Sequence, residues 1–144
     1  MVKEEKKKRS QGRRVMDKKE RGRILAIDDE PDLTMYCKMA LEHYGFEVKT
    51  FNDPKEALSN YKPGYYDLVI LDIKMPKMDG FELYHEIKKK DANAKVCFLT
   101  ASELYYEEFR KKEYCDLDKG LFIRKPIDND ELVSEVQKMI EKYS

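Results

Sequence analysis

Five side chains in this 144-residue sequence have the types needed to handle a phosphoryl group. Asp28 and Asp29 stand directly after the apolar run Ile24-Leu25-Ala26-Ile27, and Asp72 follows a second run, Leu68-Val69-Ile70-Leu71. Thr100 follows Val96-Cys97-Phe98-Leu99, and Lys125 comes just after Leu121-Phe122-Ile123, beside Pro126. If these runs are strands of one parallel sheet, all five side chains emerge on one edge. Crowded carboxylates repel, and burying them unpaired is costly, so such a pocket calls for a cation. Oxygen ligands without His or Cys select a hard ion, and few carboxylates with room for water suit Mg²⁺. An Asp beside a divalent ion, an ammonium and a hydroxyl is equipped to accept a phosphoryl group. The carboxylate attacks, while metal and Lys neutralise charge on the transferring oxygens. Taken singly, each residue has a structural reading: a helix cap for Asp28 or Asp29, a turn for Asp72, a satisfied carbonyl for Thr100, a surface charge for Lys125. Their joint placement at strand ends favours the chemical reading.

The elements that must position them alternate along residues 24–143. Pro31 sits where a first helical position belongs. Leu33, Tyr36, Cys37, Ala40, Leu41 and Tyr44 then follow a helical stripe that Gly45 ends. Phe46 to Phe51 mixes apolar and charged positions, as an edge strand does. Asp53-Pro54 predicts the cap of a short helix with Ala57, Leu58 and Tyr61, and Pro63-Gly64 a turn. Phe81, Leu83, Tyr84 and Ile87 mark a third helix, expected to fray at Lys88-Lys89-Lys90. Residues 103–114 read as a polar fourth helix, and Leu132, Val133, Val136, Met139, Ile140 and Tyr143 as the last. Five strands alternating with five helices predict an α/β fold with a doubly wound parallel sheet, apolar strands covered on both faces. Such sheets bind ligands beyond the carboxyl ends of their strands.

At these residues the sequence resembles the receiver domain of two-component response regulators. Ile24 to Pro31 is similar to the opening of that domain, and Asp67-Leu68-Val69-Ile70-Leu71-Asp72-Ile73-Lys74-Met75-Pro76-Lys77-Met78-Asp79-Gly80 to its phosphoacceptor segment. Leu99-Thr100-Ala101 and Phe122-Ile123-Arg124-Lys125-Pro126 resemble its two remaining signatures. The resemblance spans about residues 22–143. It implies a flavodoxin-like sheet of order 2-1-3-4-5. It also implies Asp72 as phosphoacceptor, Asp29 as a direct Mg²⁺ ligand, Asp28 as a ligand mainly through water, and the backbone carbonyl of Lys74 as a further ligand. Lys125 would pair with the aspartyl and then the phosphoryl group, ahead of a cis bond to Pro126. Thr100 would bond the phosphoryl oxygens and Phe122 would turn inward after it, with small Ala101 beside the pocket entry. The surface of the fourth strand, the helix after it and the fifth strand would then be read by a partner. Two departures stand out. Lys74 and Ser102 occupy the positions that tune dephosphorylation in the family. The stretch from Thr100 to Lys125 is about three residues longer than usual, with Glu113 to Gly120 replacing the usual Gly-Ala-Asp.

Charge divides the chain. Residues 1–23 carry eleven Lys or Arg and four Asp or Glu, a net of +7, which leaves the remaining 121 residues at −7. The basic stretch has only Val2, Val15 and Met16 as sizeable apolar residues, so residues 1–22 are expected to be a disordered tail ahead of a receiver over 23–144. Glu4, Glu5, Asp17 and Glu20 favour a solvated tail over an anchor for nucleic acid. Translation from Met16 would shorten that tail. Three widely spaced cysteines exclude a disulfide framework and suit the cytoplasm, and no apolar run approaches membrane-spanning length. The chain ends about nineteen residues after Lys125, so a stand-alone switch is expected. Its phosphodonor would be a sensor histidine kinase or phosphotransfer protein, and its phosphorylated surface would be read by an unidentified downstream protein. A nucleic-acid-binding regulator using the tail is the alternative. An aspartyl-phosphate hydrolase fits poorly, because Asp28 and Asp29 are adjacent and no substrate cap is inserted; the chain is not expected to be a conventional enzyme.

Overall fold

The computed structural model describes residues 21–100, 122–125 and 127–143. Within them the chain forms β1 (Arg23–Ile27), α1 (Pro31–His43), β2 (Glu47–Phe51), α2 (Pro54–Ser59), β3 (Leu68–Asp72), α3 (Gly80–Lys90), β4 (Val96–Thr100), β5 (Phe122–Arg124) and α4 (Asn129–Tyr143). The strands make one parallel sheet in the order β2-β1-β3-β4-β5, as the resemblance implied. The chain order reverses at β1 and β3, and this switch point brings the ends of those two strands side by side.

Side-chain alternation along each strand divides the core into two layers. Ile24, Ala26, Leu68, Ile70, Cys97 and Leu99 pack with Cys37, Ala40 and Leu41 of α1 and with Leu132, Val136 and Met139 of α4. Leu25, Ile27, Val69, Leu71, Val96 and Phe98 face the other way, onto Ala57, Phe81, Leu83 and Ile87. Every residue of central β3 is buried. Edge strand β2 is only half-covered, which explains its mixed composition.

Local signals set the element ends. Pro31 opens α1, and Gly45, at φ +98°, reverses the chain after it so that the Phe46 N–H reaches the Leu41 carbonyl at 3.1 Å. Asp53 caps α2 by accepting from the Lys55 N–H at 3.0 Å. The expected fraying at Lys88-Lys89-Lys90 does not occur, and α3 runs through Lys90. The Lys88 ammonium donates to the Ala92 and Ala94 carbonyls, and Lys90 to that of Leu58. Three cations at a helix C-terminus also oppose the macrodipole favourably. Strand bounds shift slightly from expectation. Asp72 and Thr100 close their strands rather than follow them, because each still pairs with a neighbouring strand, Asp72 with Leu99 and Thr100 with Arg124. For the same reason β5 extends through Arg124, while Leu121 lies outside the described residues.

Several sequence expectations lie outside the described residues. They are the tail through residue 20, the helix over 103–114, Ala101, Ser102, the unusual stretch 113–120 and the bond to Pro126. The side chains of Thr100 and Phe122 are likewise outside what is described.

Candidate functional site

At the carboxyl edge of the sheet, β1 and β3 deliver three carboxylates. Asp28, just past β1, continues the pairing with β2 through its N–H to the Phe51 carbonyl at 3.2 Å. Its side chain is buried, as is that of Asp72 at the end of β3, while Asp29 is half-buried. One carboxylate oxygen from each of Asp28, Asp29 and Asp72 lies within 4.8 Å of the others. Lys125, just past β5, reaches across with Nζ at 3.1 Å from Asp28 Oδ2 and 3.2 Å from Asp72 Oδ1. Asp28 is not the helix cap that its position also allowed. Its Oδ1 accepts from the Glu30 N–H at 3.0 Å, inside the loop, and Glu30 is the N-cap without a side-chain bond. Both Asp28 oxygens are therefore engaged. Among the described residues, Asp72 Oδ2 has no hydrogen-bond partner.

The electrostatics follow from burial and charge. Burial raises the Asp72 pKa to about 6, with the Asp28 charge adding to the rise and Lys125 opposing it. Burial also raises Asp28, against the Glu30 N–H and Lys125. For Lys125, burial pulls the ammonium down, but the charges of Asp72 and Asp28 outweigh it and the pKa rises. Three carboxylates and one ammonium, fully ionised, leave a double negative charge, which one divalent cation neutralises. An all-oxygen donor set of this kind suits a hard ion. Lys74 lies two residues past Asp72, in the loop to α3, with its side chain exposed.

A family model for the response regulator receiver domain matches residues 24–137. The chain belongs to this family. It is 31% identical over 124 residues to the transcriptional regulatory protein TrcR of Mycobacterium tuberculosis, covering 85% of this chain and 46% of that one. It is 29% identical to the transcriptional regulatory protein PcoR of Escherichia coli, covering 83% of this chain and 52% of the relative. The chain thus spans about half the length of these relatives. Among solved structures, the response regulator protein TrrA of Thermotoga maritima in complex with Mg(2+)-BeF is 38% identical. The TM-score is 0.65, and the match covers 81% of this chain and 97% of that one. A receiver domain protein of Clostridium thermocellum is 30% identical, at TM-score 0.66 over 83% of this chain and 94% of that one. The described part of this receiver contains no helix long and apolar enough to cross a membrane.

Two residues that support the site carry weaker signals in the sequence. Asn52, immediately after β2, donates from Nδ2 to the Asp28 carbonyl at 2.8 Å and to Thr34 Oγ1 at 3.0 Å. Thr34 is buried and donates in turn to the Pro31 carbonyl. The end of β2 is thereby latched to the carboxylate loop and to the first turn of α1. A polar residue after the second strand, on the same edge as Asp28, was the available signal.

Gly80 is the other support. It opens α3 against the backbone of Asp72: a Cβ there would overlap the Asp72 carbonyl oxygen and stand 2.8 Å from Ile73 Cα. The Gly80 N–H donates to the Ile73 carbonyl at 2.7 Å, and a capping box of Asp79 and Glu82 closes the same turn. Backbone cannot yield as a flexible side chain can. Gly80→Ala is therefore expected to lower stability by about 1–3 kcal/mol. A urea titration would show this as a lower midpoint at unchanged slope.

Proposed function

We propose that this receiver is a phosphorylation-controlled switch of a two-component phosphorelay, with Asp72 as phosphoacceptor. One observation carries the reading. Asp72 ends the central strand buried beside two other carboxylates, held through one oxygen by Lys125 while its other oxygen is free among the described residues. That oxygen is the nucleophile. It forms a bond to phosphorus as the bond from phosphorus to the donor breaks, and the donor leaves with the electron pair. A pKa near 6 leaves the carboxyl mostly ionised at neutral pH.

The cation proposed for the site is Mg²⁺, held by Asp29 and Asp72 directly, by Asp28 mainly through water, and by the backbone carbonyl of Lys74. The all-carboxylate donor set and the relative TrrA, solved with Mg(2+)-BeF, support this choice. Bound there, Mg²⁺ would neutralise charge on the transferring oxygens. Lys125 pairs with Asp72 before transfer and with the phosphoryl group after it. Thr100 hydrogen-bonds the new phosphoryl oxygens and Phe122 turns inward behind it, so the surface around β4 and β5 changes. The phosphodonor is a sensor histidine kinase or phosphotransfer protein, and a downstream protein reads the changed surface. In this reading residues 1–22 form a tail on a receiver of residues 23–144. The buried thiols of Cys37 and Cys97 suit a reducing cytoplasm.

Acetyl phosphate with Mg²⁺ tests the proposal. Intact-mass spectra are expected to show one added phosphoryl group, absent when the metal is chelated before the donor is added and absent in Asp72→Asn. Undiminished modification of Asp72→Asn would overturn the assignment.

A further inference from the structure

Lys125 has a long, flexible stem, yet its ammonium must stand near 3 Å from two carboxylates at once. The backbone bearing it is anchored upstream by the ladder between β4 and β5, in which Arg124 pairs with Thr100. That anchor is short, because β5 has three residues. Downstream, a hydrogen bond from another element holds the chain. The Tyr36 hydroxyl, on α1, donates to the Ile127 carbonyl at 2.8 Å across 91 positions of sequence. The Tyr36 ring and the Ile127 side chain both pack against the core layer shared by α1 and α4. From Ile127 the chain enters α4 at once, where Asp128 accepts from the Glu131 N–H at 2.8 Å.

The helix that carries Tyr36 begins at the carboxylate loop. Its first turn is fixed there by Thr34, by Asn52 and by the Asp28 contact with Glu30. One rigid helix therefore holds both the loop that presents Asp28 and Asp29 and the loop that follows Lys125. We propose that Tyr36 is a positioning residue for phosphoryl uptake, its hydroxyl setting the approach of Lys125 to Asp72. The inference rests on Asp72 being the phosphoacceptor. Small displacements of a charged group at a reacting centre change rates steeply, so loss of one anchoring bond should be visible in the rate. It should leave metal affinity alone, because the carboxylates are held by other bonds.

A second tyrosine, the C-cap residue of the same helix, supplies the control. Tyr44 also ties α1 to α4, its hydroxyl 3.1 Å from Asp130 Oδ1, but at the exposed far end of α1. The experiment compares the full chain with Tyr36→Phe and Tyr44→Phe, which keep their rings and lose only the hydroxyls. Uptake from acetyl phosphate is followed by intact mass at saturating Mg²⁺, and Mg²⁺ affinity by calorimetry. Tyr36→Phe is expected to slow uptake about five-fold or more with Mg²⁺ affinity unchanged, and Tyr44→Phe to match the parent. A Tyr36→Phe rate within two-fold of the parent would overturn the inference. So would equal slowing by Tyr44→Phe, a parallel loss of Mg²⁺ affinity, or failure of Tyr36→Phe to fold, since each makes the bond a general support. A parent chain that takes up no phosphoryl group would instead remove the phosphoacceptor reading, and this inference with it.

Discussion

Replacing Lys125 by Met is expected to destabilise the metal-free protein by about 3 kcal/mol at pH 8, the effect of removing one partner from a buried ion pair. The ammonium bonds two buried carboxylates, Asp28 and Asp72, and its side chain is only 17% exposed. Without it, two negative charges share a site with no other cation among the described groups that bond them. The carboxyl groups can relieve this by binding protons, so the loss depends on pH. The Lys125 pKa is raised, so the ammonium itself stays charged through the acid and neutral range and loses its proton only in strong alkali. The pH dependence of the variant therefore comes from the carboxyls. Near pH 5, where Asp72 is largely protonated, the loss should shrink below about 1 kcal/mol. Millimolar Mg²⁺ should restore much of the loss at pH 8. Urea unfolding at the two pH values, with and without Mg²⁺, measures all of this; a loss equal at both would show that Lys125 acts through packing.

Asp72→Asn is expected to move stability the opposite way while abolishing phosphoryl uptake. Folding raises the Asp72 pKa from an ordinary carboxylate value to about 6. The folded state thus binds this proton more tightly than the unfolded chain does. The cost of ionising Asp72 in the fold is absent below about pH 4, grows through the interval to about pH 6 and is complete above it. An amide of the same shape does not ionise and still offers Lys125 an oxygen. At pH 7.5 without metal, the variant should be on the order of 2–3 kcal/mol more stable than the parent. Thermal unfolding should give that gain at pH 7.5 and none near pH 4. Mg²⁺ should raise the melting temperature of the parent and do so less for the variant, since fewer charges remain to hold it. A variant less stable than the parent at pH 7.5 would mean that the carboxylate is stabilised in the fold rather than strained.

Much of this site is legible in the linear chain because its determinants are local. An all-apolar run ending in Asp is a buried strand meeting the sheet edge, whatever else surrounds it. Pro31, Gly45 and Asp53 mark element ends through their own backbone and side-chain chemistry. Period-two alternation then assigns each strand residue to one core layer or the other. The lysine run at the end of α3 shows where local reading fails. Three like charges in succession suggest fraying, but carbonyls of the following turn accept from Lys88, and that of Leu58, 32 positions away, accepts from Lys90.

What only the tertiary structure decided are relations across long separations. Asn52 and Asp28 are 24 positions apart, Tyr36 and Ile127 are 91, and Lys125 reaches Asp28 across 97. No propensity or spacing rule encodes such pairs, because each depends on where the packed sheet brings its strand ends. The same holds for the rise in the Asp72 pKa, which arises from burial beside Asp28, a neighbour created by the parallel pairing of β1 and β3. It holds for Gly80 as well. Its residue type is plain in the sequence, but the backbone of Asp72 that forbids a side chain there arrives only when α3 packs on the end of β3.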